Sequence, residues 1–254
     1  MHASIGVQHP DHREGYITRT ETNANDNSKR LTMRAMILAA GRGERMRPLT
    51  DHIPKPLLET GGKPLIVHQI ERLRAAGIEQ LVINVAWHGT LIERALGNGS
   101  ALGVEIRYSR EPEGALETAG GIRHALGLLG NDPFLVVNSD IHCDFPIARL
   151  AGLDLADRAH LVLVDNPEHH PEGDFALSEG RVMFSGSPRF TYSGIGLFRP
   201  EMFASLSPGY RALRPVLDAA IESGRVSGEH YSGVWRDIGT PERLDQLDRD
   251  LRRR

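Results

Sequence analysis

The sequence predicts an α/β fold: a Rossmann-like, mostly parallel mixed sheet with helices on both faces, plus a smaller lobe. Two observations predict this class. From Met33 onward, short apolar runs alternate with amphipathic stretches at a spacing of roughly 20–30 residues, which is typical of βαβ units. In addition, a glycine-rich segment follows the first apolar run directly, and backbone N–H groups in such a segment can approach an anion closely.

In the first half of the chain, five apolar runs predict strands and three amphipathic stretches predict helices. The strands are expected at residues 36–38, 81–83, 104–106, 134–137 and 161–164. The helices are expected at residues 64–76, 91–96 and 118–129. Pro64 suits a first helical position, since its missing N–H would be unpaired there. Thr90 and Glu93 have the spacing of a capping box.

After about Asp165 the pattern changes to shorter strands. These are expected at residues 175–177, 181–183 and 195–198. Glu179-Gly180 has the composition of a hairpin turn. Two further helices are expected at residues 213–223 and 241–251, the second opened by Thr240-Pro241. Because no internal repeat or low-complexity linker interrupts this pattern, we predict one domain over residues 33–254 with two lobes, 33–165 and 166–254.

Residues 1–32 differ from the rest of the chain. They are polar and follow neither a helical nor a strand period, so we predict a disordered N-terminal extension. They contain no long apolar stretch of the kind that a secretory signal requires. Since Met33 opens a clean strand, a genuine tail and a translation start at Met33 are both compatible with the sequence.

Composition excludes several other classes of protein. The formal net charge of −3 gives no reason to expect binding to nucleic acid or to an anionic membrane surface. No apolar run approaches the ~20 residues needed to span a bilayer. Cys143 is the only cysteine, which excludes an intrachain disulfide and a cysteine-based zinc site and fits a reducing cytoplasm. The oligomeric state is not readable from the sequence, which is compatible with a monomer.

The segment after the first strand reads AAGRGERMRPLT and is followed by PKPL. Arg45, Arg47 and Lys55 supply enough positive charge to balance much of a triphosphate. A Walker A loop is excluded because Gly43 is followed by Glu-Arg rather than Lys-Ser/Thr. The dinucleotide fingerprint is excluded because Met46 stands where its third glycine belongs.

Gly-x-Gly-x-Arg-x-x-Pro-Leu-Thr-x-x-x-Pro-Lys is the hallmark of the sugar-phosphate nucleotidyltransferases, and residues 41–55 match it at every defined position. The resemblance extends from Met33 to the C-terminus. It implies the nucleotide-diphospho-sugar transferase fold, with a nucleotide-binding lobe at 33–165 and a sugar-binding lobe at 166–254. It also implies that Arg45 and Lys55 are the catalytic residues. The nucleotide contacts that it implies are Ala40, Gly41, Gly43, Glu44, Arg45, Lys55, Thr118 and Gly120.

Two aspartates are candidate ligands for Mg²⁺. Asp140 comes just past the predicted strand at residues 134–137, and the run from Trp235 to Thr240 places Asp237 at a strand end as well. Ligands gather at the carboxyl ends of strands in open α/β sheets. Mg²⁺ is usually held by one or two carboxylates plus phosphate oxygens. The resemblance makes these two residues the metal pair, whereas the sequence alone also allows turn or helix-cap roles. His169 and His170 are adjacent, and adjacent side chains seldom face one site, so we expect a surface loop there.

Residues 111–121 resemble the stretch with which the family binds the base, and Thr118 matches the threonine that touches it. Glu117 stands where the family usually has glycine. Glu111 or Glu113 stands near the glutamine that uridylyl and thymidylyl transferases keep. A carboxylate there accepts from the uracil N3–H in one interpretation and belongs to a solvated turn in the other.

A narrower resemblance comes from Leu-Glu-Thr-x-Gly-Gly, which opens the predicted helix at 118–129, and from Asn-Pro-x-His-His-Pro-x-Gly-Asp-Phe at residues 166–175. Both are similar to the uridylyltransferases that act on N-acetylmuramate α-1-phosphate in bacterial peptidoglycan recycling. The Glu-Lys-Pro element that many relatives use near the sugar is absent from the sequence. The candidates for sugar contacts are therefore Asn138, Gly173, Asp174 and Ser193.

The reaction implied is in-line attack by a sugar 1-phosphate oxygen on the α-phosphorus of UTP, which transfers UMP and expels pyrophosphate. No protein nucleophile or general base is needed, because the attacking phosphate is already anionic, so catalysis depends on positioning and on charge stabilisation. Two alternatives stay open. One is a mannose 1-phosphate guanylyltransferase, and the other is a non-catalytic sensor of sugar nucleotides built on the same fold.

Overall fold

The computed structural model describes residues 33–112 and 115–253. The predicted N-terminal extension (residues 1–32) and Glu113 lie outside the described residues. The strands of the described part are β1 (Arg34–Leu38), β2 (Glu59–Thr60), β3 (Lys63–Pro64), β4 (Gln80–Val85), β5 (Glu105–Arg110), β6 (Phe134–Asn138), β7 (Ile141–Cys143), β8 (Ala159–Val164), β9 (Phe175–Ser178), β10 (Arg181–Met183), β11 (Arg189–Phe198), β12 (Val226–Tyr231) and β13 (Trp235–Asp237). The α-helices are α1 (Leu65–Ala75), α2 (Gly89–Leu96), α3 (Glu117–Leu129), α4 (Ala148–Ala151), α5 (Glu201–Ala204), α6 (Leu213–Glu222) and α7 (Pro241–Arg252).

One nine-stranded sheet runs through both predicted lobes, in the order β5-β4-β1-β6-β11-β8-β12-β10-β9. The first four strands are parallel, with Met36 of β1 opposite Val82 of β4 and Val136 of β6. Strand β11 is antiparallel to β6 and β8, whereas β12 is parallel to β8. Pairs β2–β3 and β7–β13 form two small antiparallel sheets. The predicted α/β class with a mixed sheet is therefore confirmed.

The two faces of the sheet are covered by different helices, because successive side chains of a strand point to opposite faces. Ile37 of β1 packs in one buried cluster with Ile66 and Ile70 of α1. Met36, its neighbour on β1, belongs to a second cluster with Ile122 of α3. Helix α2 shares the first face with α1, and helices α5 and α6 share the second face with α3.

A third apolar cluster joins the end of the chain to the glycine-rich segment. Met46, Leu65, Ile238 and Leu244 pack together there, and Met46 and Ile238 are fully buried. Full burial of one such side chain contributes about 1.5–3 kcal/mol relative to leaving it exposed. Met46 stands at the position where a dinucleotide loop would need glycine, so this residue anchors the loop to α7.

The turn between β9 and β10 confirms the predicted hairpin. Glu179 and Gly180 have φ angles of 48° and 74°, and Ser178 pairs with Arg181 across the turn. Positive φ at both central residues is the requirement of a type I′ turn, whose twist matches that of the flanking strands. Glycine adopts this conformation without a steric penalty.

Two details of the helix starts were predicted wrongly. Helix α2 begins at Gly89, and its N-cap is His88, which makes no side-chain capping bond, so Thr90 lies inside the helix rather than before it. Pro64 ends β3 and is the N-cap of α1, one position earlier than predicted. The predicted start of α7 is confirmed, since the Thr240 hydroxyl accepts from the Arg243 backbone N–H.

Within the described residues, no helix has both the length and the apolar character that a membrane crossing demands.

Candidate active site

A cleft of about 550 Å³ lies at the carboxyl ends of the parallel strands. Leu38, Asn84 and Asn138 mark the ends of β1, β4 and β6 on its floor. Its volume falls within the range of roughly 300–1,000 Å³ that is typical of small-molecule sites. The predicted site residues that line it are Ala40, Gly41, Gly43, Glu44, Arg45, Lys55, Thr118, Asn138 and Asp140.

The glycine-rich loop needs its two glycines for different reasons. Gly43 has a φ of +65°, and a Cβ there would lie 3.0 Å from Thr50 Cγ2 and 3.1 Å from Lys55 Cβ. The Thr50 hydroxyl donates to the Gly43 carbonyl at 2.8 Å, which fixes the turn. Gly41, by contrast, lines the cleft at a point where an added Cβ would meet nothing within 4 Å. A glycine-rich loop of this kind lets backbone N–H groups approach an anion closely.

Lys55 and Asp140 form an ion pair beside this loop. The Lys55 side chain is only 10% exposed, whereas that of Asp140 is 32% exposed. Burying an ammonium group away from water is costly unless an anion is close. In the ligand-free chain Asp140 supplies that anion, and a bound phosphate offers another. Lys55 is therefore placed to exchange a protein carboxylate for a substrate oxygen.

Asp237 lies on the strand next to Asp140. Strand β13 pairs with β7, and the Ile238 N–H donates to the Asp140 carbonyl at 2.7 Å. Asp237 does not line the cleft itself, but its neighbour Gly239 does. A Cβ on Gly239 would lie 2.9 Å from Asp237 Oδ2 and 3.3 Å from Arg45 Nη1. The carboxylate therefore stands at the rim of the cleft, beside an arginine of the glycine-rich loop.

Both oxygens of Asp237 have cationic or imidazole partners. Arg243 Nη1 donates to Oδ2 at 2.5 Å, and His169 Nε2 lies 3.1 Å from Oδ1. Sequence reasoning assigned His169 to a surface loop without a partner and assigned no role to Arg243. The Arg243 contact comes from the turn of α7 that follows Asp237, and the His169 contact comes from the loop between β8 and β9.

The donor set near the cleft fits Mg²⁺ better than a transition metal. Nowhere in residues 33–112 and 115–253 do three or more His, Cys, Asp or Glu side chains gather as a ready-made metal cage. Asp140, directly before β7, and Asp237, at the end of the adjacent strand β13, are the one or two carboxylates that Mg²⁺ needs from a protein when phosphate oxygens and water complete its six ligands. Zinc would instead require three or four nitrogen or sulfur ligands.

The loop at residues 166–175 reaches the site with both of its histidines. His169 contacts Asp237, whereas His170 Nε2 lies 3.2 Å from Asp174 Oδ1. The two rings contact different carboxylates, because adjacent side chains point in different directions, so they do not form one metal pair. The side chains are 39% and 41% exposed. The expected surface loop is therefore confirmed, and in addition it carries a partner for each of two candidate site residues.

A smaller cavity of about 240 Å³ adjoins the cleft and shares Leu38, Thr118 and Asn138 with it. We call it the side cavity, and its lining consists of Leu38, Thr118, Asn138, Asp174, Phe175, Tyr192, Leu213, Arg214 and Leu217. Of the four residues predicted to contact the sugar, only Asn138 and Asp174 line it.

Gly173 and Ser193 do not reach the cleft or the side cavity. Ser193 is fully buried, and its hydroxyl accepts from the Ile195 N–H at 3.1 Å inside the bulge of β11. A Cβ on Gly173 would lie 2.6 Å from Asn166 Oδ1, so that glycine makes room for the asparagine that ties its loop together. The prediction of sugar contacts at these two residues is therefore corrected, since both shape the backbone instead.

Glu111 is not in a solvated turn, although it lines the cleft. It is buried, Oε1 accepts from Asn84 Nδ2 at 2.7 Å, and Oε2 accepts from the Leu116 N–H at 2.8 Å. Asn84 Oδ1 in turn accepts from the Ala39 N–H at 2.8 Å. A Cβ on Gly121 would lie 2.4 Å from Glu111 Oε1, so only glycine leaves room for this carboxylate. The chain of bonds links the glycine-rich loop to the start of α3.

The start of α3 places Glu117 at the cleft, beside Tyr210 from the loop between α5 and α6. Glu117 has a φ of +60°, a left-handed conformation that favours glycine, which explains why glycine is usual here in the family. Its Oε1 accepts from the Tyr210 hydroxyl at 3.1 Å, and this hydrogen bond raises the pKa of Tyr210. Gly120 lies outside the lining of the cleft. A Cβ there would lie 2.3 Å from the Gly209 carbonyl, so Gly120 serves helix–loop packing rather than nucleotide contact.

The cleft, its glycine-rich loop and the two carboxylates at the strand ends define a nucleotidyltransferase. Residues 34–254 match the Nucleotidyl transferase family, and the chain belongs to that family. It is 54% identical over 222 residues to N-acetylmuramate α-1-phosphate uridylyltransferase of Neisseria meningitidis serogroup B, covering 84% of this chain and 96% of that protein. It is 32% identical over 230 residues to mannose-1-phosphate guanylyltransferase of Mycobacterium tuberculosis, covering 85% of this chain and 64% of that protein.

A solved structure supports the same fold at low sequence identity. The inositol-1-phosphate CTP transferase from T. maritima superimposes with a TM-score of 0.74 at 21% identity, covering 87% of this chain and 96% of that one. The predicted nucleotide-diphospho-sugar transferase fold is thus confirmed, together with membership of the sugar-phosphate nucleotidyltransferases.

Proposed function

We propose that this protein transfers UMP from UTP to N-acetylmuramate α-1-phosphate and releases pyrophosphate. The observation that carries the proposal is the similarity to the N. meningitidis uridylyltransferase, which spans nearly the whole of that protein and includes the loop at residues 166–175. The M. tuberculosis guanylyltransferase is matched at much lower identity and over about two thirds of its length, so guanylyl transfer is the less favoured alternative.

The residues of the cleft have two roles: some bind the phosphates, and others offset the negative charge of the reacting groups. Backbone N–H groups of the glycine-rich loop and the Arg45 guanidinium bind the triphosphate. Asp140 and Asp237 would hold Mg²⁺, whose positive charge, when the ion is bound, offsets the negative charge of the two reacting phosphates. Lys55, which pairs with Asp140 in the ligand-free chain, turns to a phosphate oxygen and stabilises the charge that develops on the leaving pyrophosphate.

The sugar 1-phosphate enters from the side cavity. That cavity adjoins the cleft through Asn138 and Thr118, so a sugar held there presents its phosphate toward Asp140. The phosphate nucleophile needs no general base, and bringing two polyanions into line is the main task of the protein. We assign the reaction to the cytoplasmic recycling of peptidoglycan sugars, on the resemblance of residues 166–175 to that subgroup.

The test is a matrix of UTP, GTP, CTP and dTTP against N-acetylmuramate, mannose and glucose 1-phosphates, read by pyrophosphate release with Mg²⁺ present. The proposal expects the highest kcat/KM for UTP with N-acetylmuramate 1-phosphate. Preferred turnover of GTP with mannose 1-phosphate would replace the proposal by the guanylyltransferase. Tight binding of a sugar nucleotide without turnover of any pair would favour the sensor.

A further inference from the structure

The side cavity contains a single cationic group. Arg214 is the only lysine or arginine among the described residues that line it. Its guanidinium carbon lies 4.6 Å from the centroid of the Phe175 ring, and its Nε donates to Asp218 Oδ1 at 2.7 Å. Stacking on one face and an ion pair on one edge fix the plane of the guanidinium. The terminal nitrogens are then the donors left for a ligand.

Apart from Asp218, which does not line the side cavity, Arg214 has no anionic partner among the described lining residues. Asp174 is the only carboxylate among its described lining residues, and both of its oxygens are engaged, one by the Tyr192 N–H at 2.8 Å and one by His170. Enclosure of the Tyr192 phenol raises its pKa, so the phenol remains a neutral hydrogen-bond donor. Leu213 and Leu217 supply an apolar wall. The cavity therefore suits a ligand that joins an anion to a short aliphatic group.

N-acetylmuramate carries such a group, because it is N-acetylglucosamine with a lactyl ether, which is a methyl-bearing carboxylate. The 1-phosphate and the acetamido group are common to both sugars, so they cannot tell the two apart. We propose that Arg214 selects the acidic sugar by pairing with the lactyl carboxylate while Leu213 and Leu217 face its methyl group. This inference rests on the proposed function, and it assigns specificity to a residue outside the catalytic loop.

The test compares three substrates with UTP: N-acetylmuramate 1-phosphate, its lactyl amide, and N-acetylglucosamine 1-phosphate. The amide keeps the bulk of the lactyl group and removes only its charge. In Arg214→Met we expect kcat/KM for the acid to fall about 10- to 100-fold, as for the loss of a charged hydrogen-bond partner, and mainly through KM. For the amide and the neutral sugar we expect less than about a threefold change, because neither makes the charged bond.

Two further variants serve as controls for this interpretation. Arg214→Lys keeps the charge but not the planar fork, so it should recover part of the preference for the acid over the amide. Arg252→Met is the matched control, because Arg252 forms the same kind of exposed i,i+4 pair with Asp248, also at 2.7 Å, on α7. That variant should leave all three substrates unchanged.

Each outcome has a defined consequence. Equal losses for the acid and the amide in Arg214→Met would show a merely structural role and overturn the inference. A wild-type enzyme that uses the acid and the amide equally well would also overturn it, although the proposed function would stand. A wild-type enzyme that turns over none of the three with UTP would overturn the proposed function and, with it, this inference.

Discussion

The cleft and the side cavity are built in opposite ways. The glycine-rich wall of the cleft comes from one short stretch, residues 40–55, in which Gly43 contacts Thr50 and Lys55. The side cavity draws its lining from β1, α3, β6, β9, β11 and α6, which are spread along the chain. The first can therefore be recognised as a sequence motif, whereas the second exists only after the sheet has brought distant elements together.

The two regions suit two different tasks, which are binding the phosphates of any nucleotide and distinguishing one sugar from another. Phosphate binding uses backbone N–H groups and a few cations, which a local motif can supply to any nucleoside triphosphate. Discrimination between sugars needs side chains at defined positions around one ring, and the side cavity, which is the proposed sugar site, draws its lining from both halves of the mixed sheet. Asp140 and Asp237 stand at the junction of the paired strands β7 and β13, where Asp140 directly precedes β7 and Asp237 ends β13.

The largest expected effect comes from breaking that junction. Asp140→Asn and Asp237→Asn keep the shape of each side chain and remove its charge, so each should lower kcat by at least about 10²–10³-fold. Pyrophosphate release measures the loss, and circular dichroism checks that the fold is kept. Asp132→Asn, on an exposed loop after α3, is the control and should remain fully active. If either site variant kept more than about a tenth of its activity at moderate Mg²⁺, the metal assignment would be wrong.

A smaller effect should follow from distorting the local motif alone. Gly43→Ala places a methyl group against Thr50 and Lys55 at a φ of +65°, so we expect kcat/KM for UTP to fall by about 10-fold or more. Gly62→Ala is the matched control, because its φ is +79° but open space surrounds the added Cβ. Both variants carry a backbone strain of about 1–2 kcal/mol. Equal kinetics in the two would mean that the loop contacts of Gly43 do not position the phosphates.

The link between the cleft and α3 predicts a change in stability. Glu111→Ala leaves Asn84 Nδ2 and the Leu116 N–H without their acceptor, which should lower the free energy of unfolding by about 1–3 kcal/mol. The control is Glu105→Ala, which changes an exposed residue at the start of β5, the strand that leads to Glu111. The urea concentration at the midpoint of unfolding is measured for both variants. Should the two variants unfold at the same urea concentration, Glu111 would not be the structural link described above.

The smallest expected effect concerns the helix that supports Asp237. Thr240→Ala removes the N-cap of α7, and because its hydrogen bond is long at 3.5 Å, we expect a loss near the low end of the usual range, about 0.5 kcal/mol. A small drop in melting temperature with little change in KM for UTP should accompany it. A loss of activity as large as that of Asp237→Asn would instead mean that the cap positions the carboxylate directly.

Sequence reasoning succeeded where the information was local. The strands of the parallel half were predicted from apolar runs, and residues 40–55 predicted the glycine-rich loop that lines the cleft. The start of α2 was predicted wrongly because His88, with a φ of 50°, turns the chain before the helix. His88 makes no side-chain capping bond, so the sequence carries no capping signal at that position.

The same reasoning failed where partners are far apart in the chain. The acceptors for Asn84 and the Leu116 N–H could not be read from the sequence, because Glu111 and Asn84 are joined only by the packing of β4 beside β5. Ser193 was assigned to the sugar because it belongs to a recognisable run, yet the bulge of β11 turns it inward. No signal in the sequence indicated that the surface loop carrying His169 folds back to Asp237.

A competition assay tests the central claim most directly. The protein is given UTP and GTP together with N-acetylmuramate 1-phosphate and mannose 1-phosphate, all at equal concentrations with Mg²⁺, and the products are identified by mass spectrometry. We predict UDP-N-acetylmuramate as the dominant product, formed in equimolar amount with pyrophosphate. GDP-mannose as the dominant product, or no nucleotide sugar at all, would contradict the account.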